Sequence, residues 1–198
     1  MVEINDPRLL LQSQEPFIVL CNQNDFISKA IDWRTDIKGI QPFDHAMLSI
    51  NAGKFACQSM GIFNAYKEIP MSQYMTKGTQ LCFVQLVNNS PEFTAAFTKS
   101  VQKRLTAPWW VTQYDYLGVF VGQSLGLPWI HTPGLEYCSV DVIRHLVNAC
   151  PYLPKEDQLV INAIPRQTNP EALWQIILNN PKTFLVYGMY DSSTGVIS

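Results

Sequence analysis

Short apolar and alternating runs dominate the first half of the chain, and they predict strands. Asn51-Ala52-Gly53 is a turn signal between two such runs, so positions 44–69 are expected to form a three-stranded antiparallel meander. A last strand is expected near the carboxyl terminus. The predicted strands are Asp44–Ile50, Lys54–Met60, Ile62–Ile69, Thr79–Val87, Leu159–Ile164 and Thr183–Tyr190, and Phe17–Cys21 is predicted to be a strand or a loop.

Apolar residues recur at helical spacing in four other segments. Ser90-Pro91 places a capping residue and then a proline at the start of one helix, and Asn169-Pro170 does the same for another. Pro70-Met71-Ser72 favours a short helical turn. The predicted helices are 22–36, 91–105, 136–150 and 170–178, and the aromatic stretch 109–134 is expected to be mostly loop.

These elements predict a single α+β domain over residues 1–198, in which an antiparallel sheet packs against helices. The length suits one domain, and 47% hydrophobic residues are enough to build a core. No repeat or linker divides the sequence.

Charge and hydropathy exclude several classes of partner. The net charge of -2 leaves no basic field for nucleic acid. No apolar stretch reaches the roughly 20 residues that cross a bilayer, so no integral membrane segment is expected. Acidic residues near the amino terminus are unlike a signal peptide, which predicts a chain that is cytoplasmic as synthesised.

The five cysteines lie at positions 21, 57, 82, 138 and 150, without a C-x-x-C pair. That spacing argues against structural zinc, and a disulfide framework is not expected without secretion. We therefore expect neither a metal nor a cofactor. Most of the cysteines are expected to be small buried hydrophobes.

Cys138 differs because it immediately precedes an apolar helix. Unpaired backbone amides and the helix dipole at that end favour a thiolate and can form part of an oxyanion hole. Ser139 is the predicted N-cap, with Asp141 in the first turn. The alternative is a buried cysteine that simply begins a core helix.

A thiolate nucleophile needs a base, and the chain has three histidines. His145 follows Cys138 by seven residues on one helix, roughly 10 Å away, which is too far for a hydrogen bond. His131 lies in the aromatic loop and is expected at the rim of the site. His45 begins a predicted strand, and Gln58 lies on the next strand, where its amide oxygen would orient the imidazole. Alternatively, His45 is a satisfied structural residue and Gln58 is solvated.

The order of these residues resembles the circularly permuted papain-like amidases and peptidases, a family related to NlpC-type cell-wall enzymes and to lecithin retinol acyltransferase. The resembling motifs follow the family's order along residues 17–190. They are Phe43-Asp44-His45-Ala46-Met47, Phe55-Ala56-Cys57-Gln58-Ser59, Tyr114-Asp115-Tyr116 and Tyr137-Cys138-Ser139.

The resemblance implies a permuted papain-like fold with Cys138 as nucleophile, His45 as base and Gln58 as the orienting group. Tyr114, Ser139 and Tyr137 would be oxyanion or substrate-binding residues. The family subgroup usually has a carboxylate where this chain has Gln58, and a neutral amide stabilises an imidazolium less. A shift of the alignment by one position would select Cys57 or Ser59 instead.

The expected function is hydrolysis of an amide or ester in a peptide, peptidoglycan or lipid-like substrate. The alternative is a catalytically weak or inactive scaffold that acts in binding or in phage assembly. A cell-wall enzyme without an export signal would suit a phage-encoded protein that is virion-associated or released by lysis.

Overall fold

A computed structural model describes residues 16–22, 43, 45–51, 54–58, 66–75, 78–108, 112, 138–192 and 196–197. Of the predicted helix over 22–36, only Asn22 is described, and it ends the first strand. Thr112 is the one described residue of the aromatic stretch 109–134.

The described strands are β1 Phe17–Asn22, β2 His45–Asn51, β3 Lys54–Gln58, β4 Tyr66–Pro70, β5 Gln80–Leu86, β6 Phe184–Asp191 and β7 Val196–Ile197. They form one antiparallel sheet in the order β4-β3-β2-β1-β5-β6-β7. The antiparallel pairing of β2 with β3 and of β3 with β4 confirms the predicted meander in the described residues, and a register shift between Leu48 and Asn51 interrupts the β2–β3 pairing.

Two of the described helices begin where capping chemistry predicts. The Ser90 hydroxyl accepts from the Phe93 N–H at 3.1 Å, and the Asn169 side chain accepts from the Ala172 N–H at 2.7 Å. The α-helices are α1 Pro91–Leu105, α2 Cys138–Ala149, α3 Lys155–Ala163 and α4 Pro170–Asn179, and short 3₁₀ turns cover Met71–Gln73 and Cys150–Tyr152.

The predicted strand Leu159–Ile164 is wrong, because Leu159 to Ala163 belong to α3. A short apolar run does not distinguish a strand from one side of a helix. In α3 the buried residues are Asp157 and Ile161, one turn apart, whereas Leu159 is 74% exposed. Pro154 followed by Glu156 and Asp157 was the sequence signal for a helix start.

Both faces of the sheet are buried at β1, which explains why the sequence of this strand is a continuous apolar run. Ile18 and Leu20 face the core shared with the helices, whereas Phe17, Val19 and Cys21 face a second apolar cluster. The first core also contains Ala46, Leu48, Val142, Leu146 and Trp174, and the second contains Met47, Phe55, Met71, Tyr74 and Phe83.

This architecture confirms the α+β class and the antiparallel sheet packed against helices. Among the described residues, no helix has the length and the apolar character that crossing a membrane requires.

Candidate functional site

Cys138 is the first residue of α2, which packs against β2. Its side chain is 3% exposed and belongs to the core between the sheet and the helices. A sulfur at this position lies beside the amides of the first helical turn, which have no partners within the helix. The structure therefore places Cys138 at the helix start that the sequence predicts.

Ser139 is not the N-cap of α2. It is the second residue of the helix, and its buried hydroxyl donates a 2.6 Å hydrogen bond to the Thr168 carbonyl. A hydroxyl committed to this carbonyl ties the start of α2 to the segment that leads into α4. The predicted capping role of Ser139 is wrong because the helix begins one residue earlier, at Cys138, and Ser139 lies within the first turn.

His45 is the first residue of β2, paired with Cys21 of β1. Its ring stacks on the Tyr74 ring, with the centroids 6.2 Å apart and the planes 15° from parallel. Tyr74 belongs to the second cluster, as does Met47, whereas Ala46 faces the helices. The His45 ring thus lies on the sheet face opposite the core that contains Cys138.

The backbones of the two segments nevertheless meet at a common neighbour, the start of α4. The Phe43 N–H donates to Glu171 Oε2 at 3.3 Å, and the Phe43 ring packs edge-on against Trp174. Thr168, which accepts the Ser139 hydroxyl, directly precedes the same helix. The starts of β2 and α2 are therefore both anchored to the amino-terminal end of α4.

Gln58 is the last residue of β3, and its backbone pairs with Tyr66 of β4. Extending the Leu48–Ala56 register towards the start of β2 aligns Gln58 with Ala46, one residue from His45. The side chains of Gln58 and Cys57 lie outside the described residues, as do Ser59, Tyr114, His131 and Tyr137.

A buried polar network between α1 and α2 is a feature that sequence reasoning missed. Asp141 Oδ1 lies 3.1 Å from Arg104 Nε, and Asp141 Oδ2 lies 3.2 Å from His145 Nε2. On the other side of the imidazole, His145 Nδ1 lies 2.8 Å from the Ser100 hydroxyl oxygen, which also accepts from the Asn148 amide. Asp141 and His145 are each 1% exposed.

Through this network His145 contributes to the packing of α1 against α2. The sequence signal was the i,i+4 spacing of an acid and a histidine on α2, which puts both on one face of the helix. Their partners come from α1, and nothing in the spacing indicates that helix.

The other described cysteines behave as core residues. Burial raises the pKa of the Cys82 thiol from 9.0 to about 12. Burial is also the main reason why the pKa of Cys150 is raised. Cys21 is also buried. These environments hold the Cys82 and Cys150 sulfurs as thiols at neutral pH, and the thiolate is the reactive form.

The part of the chain that the structure describes contains no group of three His, Cys, Asp or Glu side chains suited to a metal ion. Comparison with protein-family models, with curated proteins and with solved structures finds no match to this chain.

Proposed function

We propose that this protein is a cysteine hydrolase with a permuted papain-like fold, in which Cys138 is the nucleophile and His45 is the general base. The observation that carries the proposal is the position of Cys138 as the first residue of a core helix packed on β2, the strand that His45 begins. The order of the motifs along the sequence supports the same assignment.

The reaction is acyl transfer to water. The Cys138 sulfur attacks the carbonyl carbon of an amide or ester while His45 takes the thiol proton, and His45 then gives that proton to the leaving amine or alcohol. Departure of the amine or alcohol leaves the acyl group on Cys138 as a thioester. Water, deprotonated by the same imidazole, then hydrolyses this thioester and restores the Cys138 thiol. Amides of the first turn of α2 would stabilise the oxyanion, and Gln58 would orient the imidazole.

Ser139 has a positioning role in this proposal, since its hydrogen bond to Thr168 holds the first turn of α2. Tyr114 and Tyr137 are proposed to contact the substrate, by resemblance to the family. The substrate is a peptide, peptidoglycan or lipid-like amide or ester. A phage-encoded enzyme released by lysis would have access to such a cell-wall bond.

Proton transfer requires the His45 ring to leave Tyr74 and approach the Cys138 sulfur. His45 is the first residue of β2, and its backbone pairs with Cys21 of β1. The approach therefore needs a local rearrangement at the start of β2 that brings the ring to the helix side. The Tyr74→Leu substitution, which removes the stacking partner, is therefore expected to preserve or increase activity.

The first test is site-resolved alkylation by iodoacetamide at pH 7, read by peptide mass spectrometry. Cys138 is expected to react faster than Cys82 and Cys150, whose raised pKa values disfavour the thiolate. The His45→Ala variant should slow alkylation of Cys138 and leave the other two rates unchanged. Equal rates at the three cysteines would contradict the proposal.

The second test is hydrolysis of a panel of peptide, peptidoglycan and acyl-ester substrates. Cys138→Ala is expected to abolish turnover, and Cys150→Ala is the matched control because it also removes a buried thiol from the helical side of the protein. Loss of turnover in both variants would indicate a folding effect, which circular dichroism would detect.

A second candidate function is a non-catalytic scaffold for binding or assembly, such as a component of a phage particle. The stacking of His45 on Tyr74, on the face away from Cys138, favours it. Under this proposal Cys138→Ala leaves partner binding intact, and the wild-type protein hydrolyses no substrate of the panel.

A further inference from the structure

The outward side of α2 borders a cavity of about 280 Å³. Its described lining combines an apolar wall with two guanidinium groups and one amide. The apolar residues and Asn148 come from α2, as does Arg144, whereas Arg166 comes from the turn between α3 and α4. These residues are Val140, Ile143, Arg144, Val147, Asn148 and Arg166.

The polar groups of this lining are all able to donate hydrogen bonds, and none of the described lining residues carries a negative charge. Arg144 is half-buried, and its pKa is lowered from 12.5 to about 10, first by loss of water and then by repulsion from Arg104 and Arg166. Two guanidinium groups therefore border the cavity, and its wall has already displaced part of the water from one of them.

An anion in this cavity would offset both the loss of water from Arg144 and the repulsion between the arginines. It would accept hydrogen bonds from the planar guanidinium forks, whose geometry matches a carboxylate or a phosphate. It would also reduce the repulsion between the arginines. The valine and isoleucine wall next to these donors suits a short hydrocarbon portion of the same ligand.

We propose that this cavity is a binding site for a small organic anion, a carboxylate or phosphate ester with a short apolar chain. Arg144 and Arg166 hold the charged group, and Val140, Ile143 and Val147 contact the chain. The site is separate from the proposed nucleophile, because Cys138 is not among the described lining residues and packs with Val142 and Leu146 into the core, whereas Ile143 borders both. The proposal therefore holds whether or not the protein is a hydrolase.

The test is a titration of the full chain, followed by NMR at the backbone amides of residues 140–148 and 166, at constant ionic strength in chloride. The probes are acetate, hexanoate, hexyl phosphate and 1-hexanol. Each buried methylene contributes roughly fourfold in affinity, so hexanoate is expected to bind at least tenfold more tightly than acetate. Hexanoate should also bind more tightly than the uncharged hexanol.

Comparison of hexyl phosphate with hexanoate distinguishes a phosphate ligand from a carboxylate ligand, and tighter binding of either supports the proposal. Absence of saturable binding by both would overturn it. Equal affinity for hexanol and hexanoate would also overturn it, because the arginines would then contribute nothing.

Arginine variants connect the binding to these residues. Arg144→Gln and Arg166→Gln are each expected to weaken hexanoate binding by roughly tenfold or more, as expected for loss of a charged hydrogen-bond partner. Lys182→Gln removes one positive charge from an exposed turn outside the cavity and serves as the control. Arg166 is exposed, so its substitution tests the proposal even if Arg144→Gln fails to fold. Equal affinities in wild type and Arg166→Gln would refute the assignment.

Discussion

Removal of the Asp141 carboxylate is expected to be one of the most damaging substitutions in the described core. Asp141 is 1% exposed and lies within 3.2 Å of both Arg104 and His145. Arg104 is itself only 7% exposed. Asp141→Ala removes the carboxylate that joins these two buried groups, and breaking a buried ion pair from one side costs about 3–5 kcal/mol.

That loss is a large fraction of the total stability of a domain, which is about 5–15 kcal/mol. For a chain of this size each kcal/mol lowers the melting temperature by about 2–4 °C, so a decrease of roughly 6–20 °C is expected. The assay is urea unfolding followed by circular dichroism. The slope of the unfolding free energy against urea concentration is compared between variants, to confirm that unfolding exposes the same amount of surface in each.

Two further variants test whether the loss of stability comes from the buried network rather than from removal of any acidic residue in a helix. Glu156→Ala removes an exposed acidic residue from the first turn of α3 and is expected to cost less than about 1 kcal/mol. Replacement of Arg104, Asp141 and His145 together by Met, Leu and Leu is expected to cost less than Asp141→Ala alone, because no buried charge is left behind. A loss below about 1 kcal/mol for Asp141→Ala would refute the reasoning.

Three further predictions concern stability. The folded-state pKa of Cys82 is raised from 9.0 to about 12, so the thiol proton is released at lower pH in the unfolded chain than in the folded one. The contribution of Cys82 to the free energy of unfolding is therefore lost as pH rises above 9. The stability difference between wild type and Cys82→Ala should fall by about 2 kcal/mol from pH 9 to pH 11 in urea titrations, and a constant difference would be incompatible with this shift. Ser90→Ala removes the hydroxyl that accepts from the Phe93 N–H and should cost about 1 kcal/mol by thermal unfolding, whereas Ser90→Asp should retain most of the stability. Ser139→Ala leaves the buried Thr168 carbonyl without this donor and should cost about 1–3 kcal/mol, and an unchanged midpoint would show that another donor replaces the hydroxyl.

Local patterns in the sequence determined most of the described elements. The turn signal in the sequence Asn51-Ala52-Gly53 and the alternating runs beside it predict the pairing of β2 with β3, because turn chemistry and strand alternation are both local. Ser90-Pro91 and Asn169-Pro170 mark helix starts for the same reason. The position of Cys138 at the start of α2 also followed from local periodicity.

Only the tertiary structure decided which groups meet. The six-residue run Leu159–Ile164 has no periodicity that separates a strand from a helix, and packing of Ile161 into the core selects the helix. Strand alternation indicates that His45 and Ala46 face opposite ways, but not which face receives α2. Likewise, Ser139 has the chemistry of a cap, yet its hydroxyl bonds Thr168, 29 residues away in the sequence. Such partners depend on how distant segments pack, and no local pattern encodes that choice.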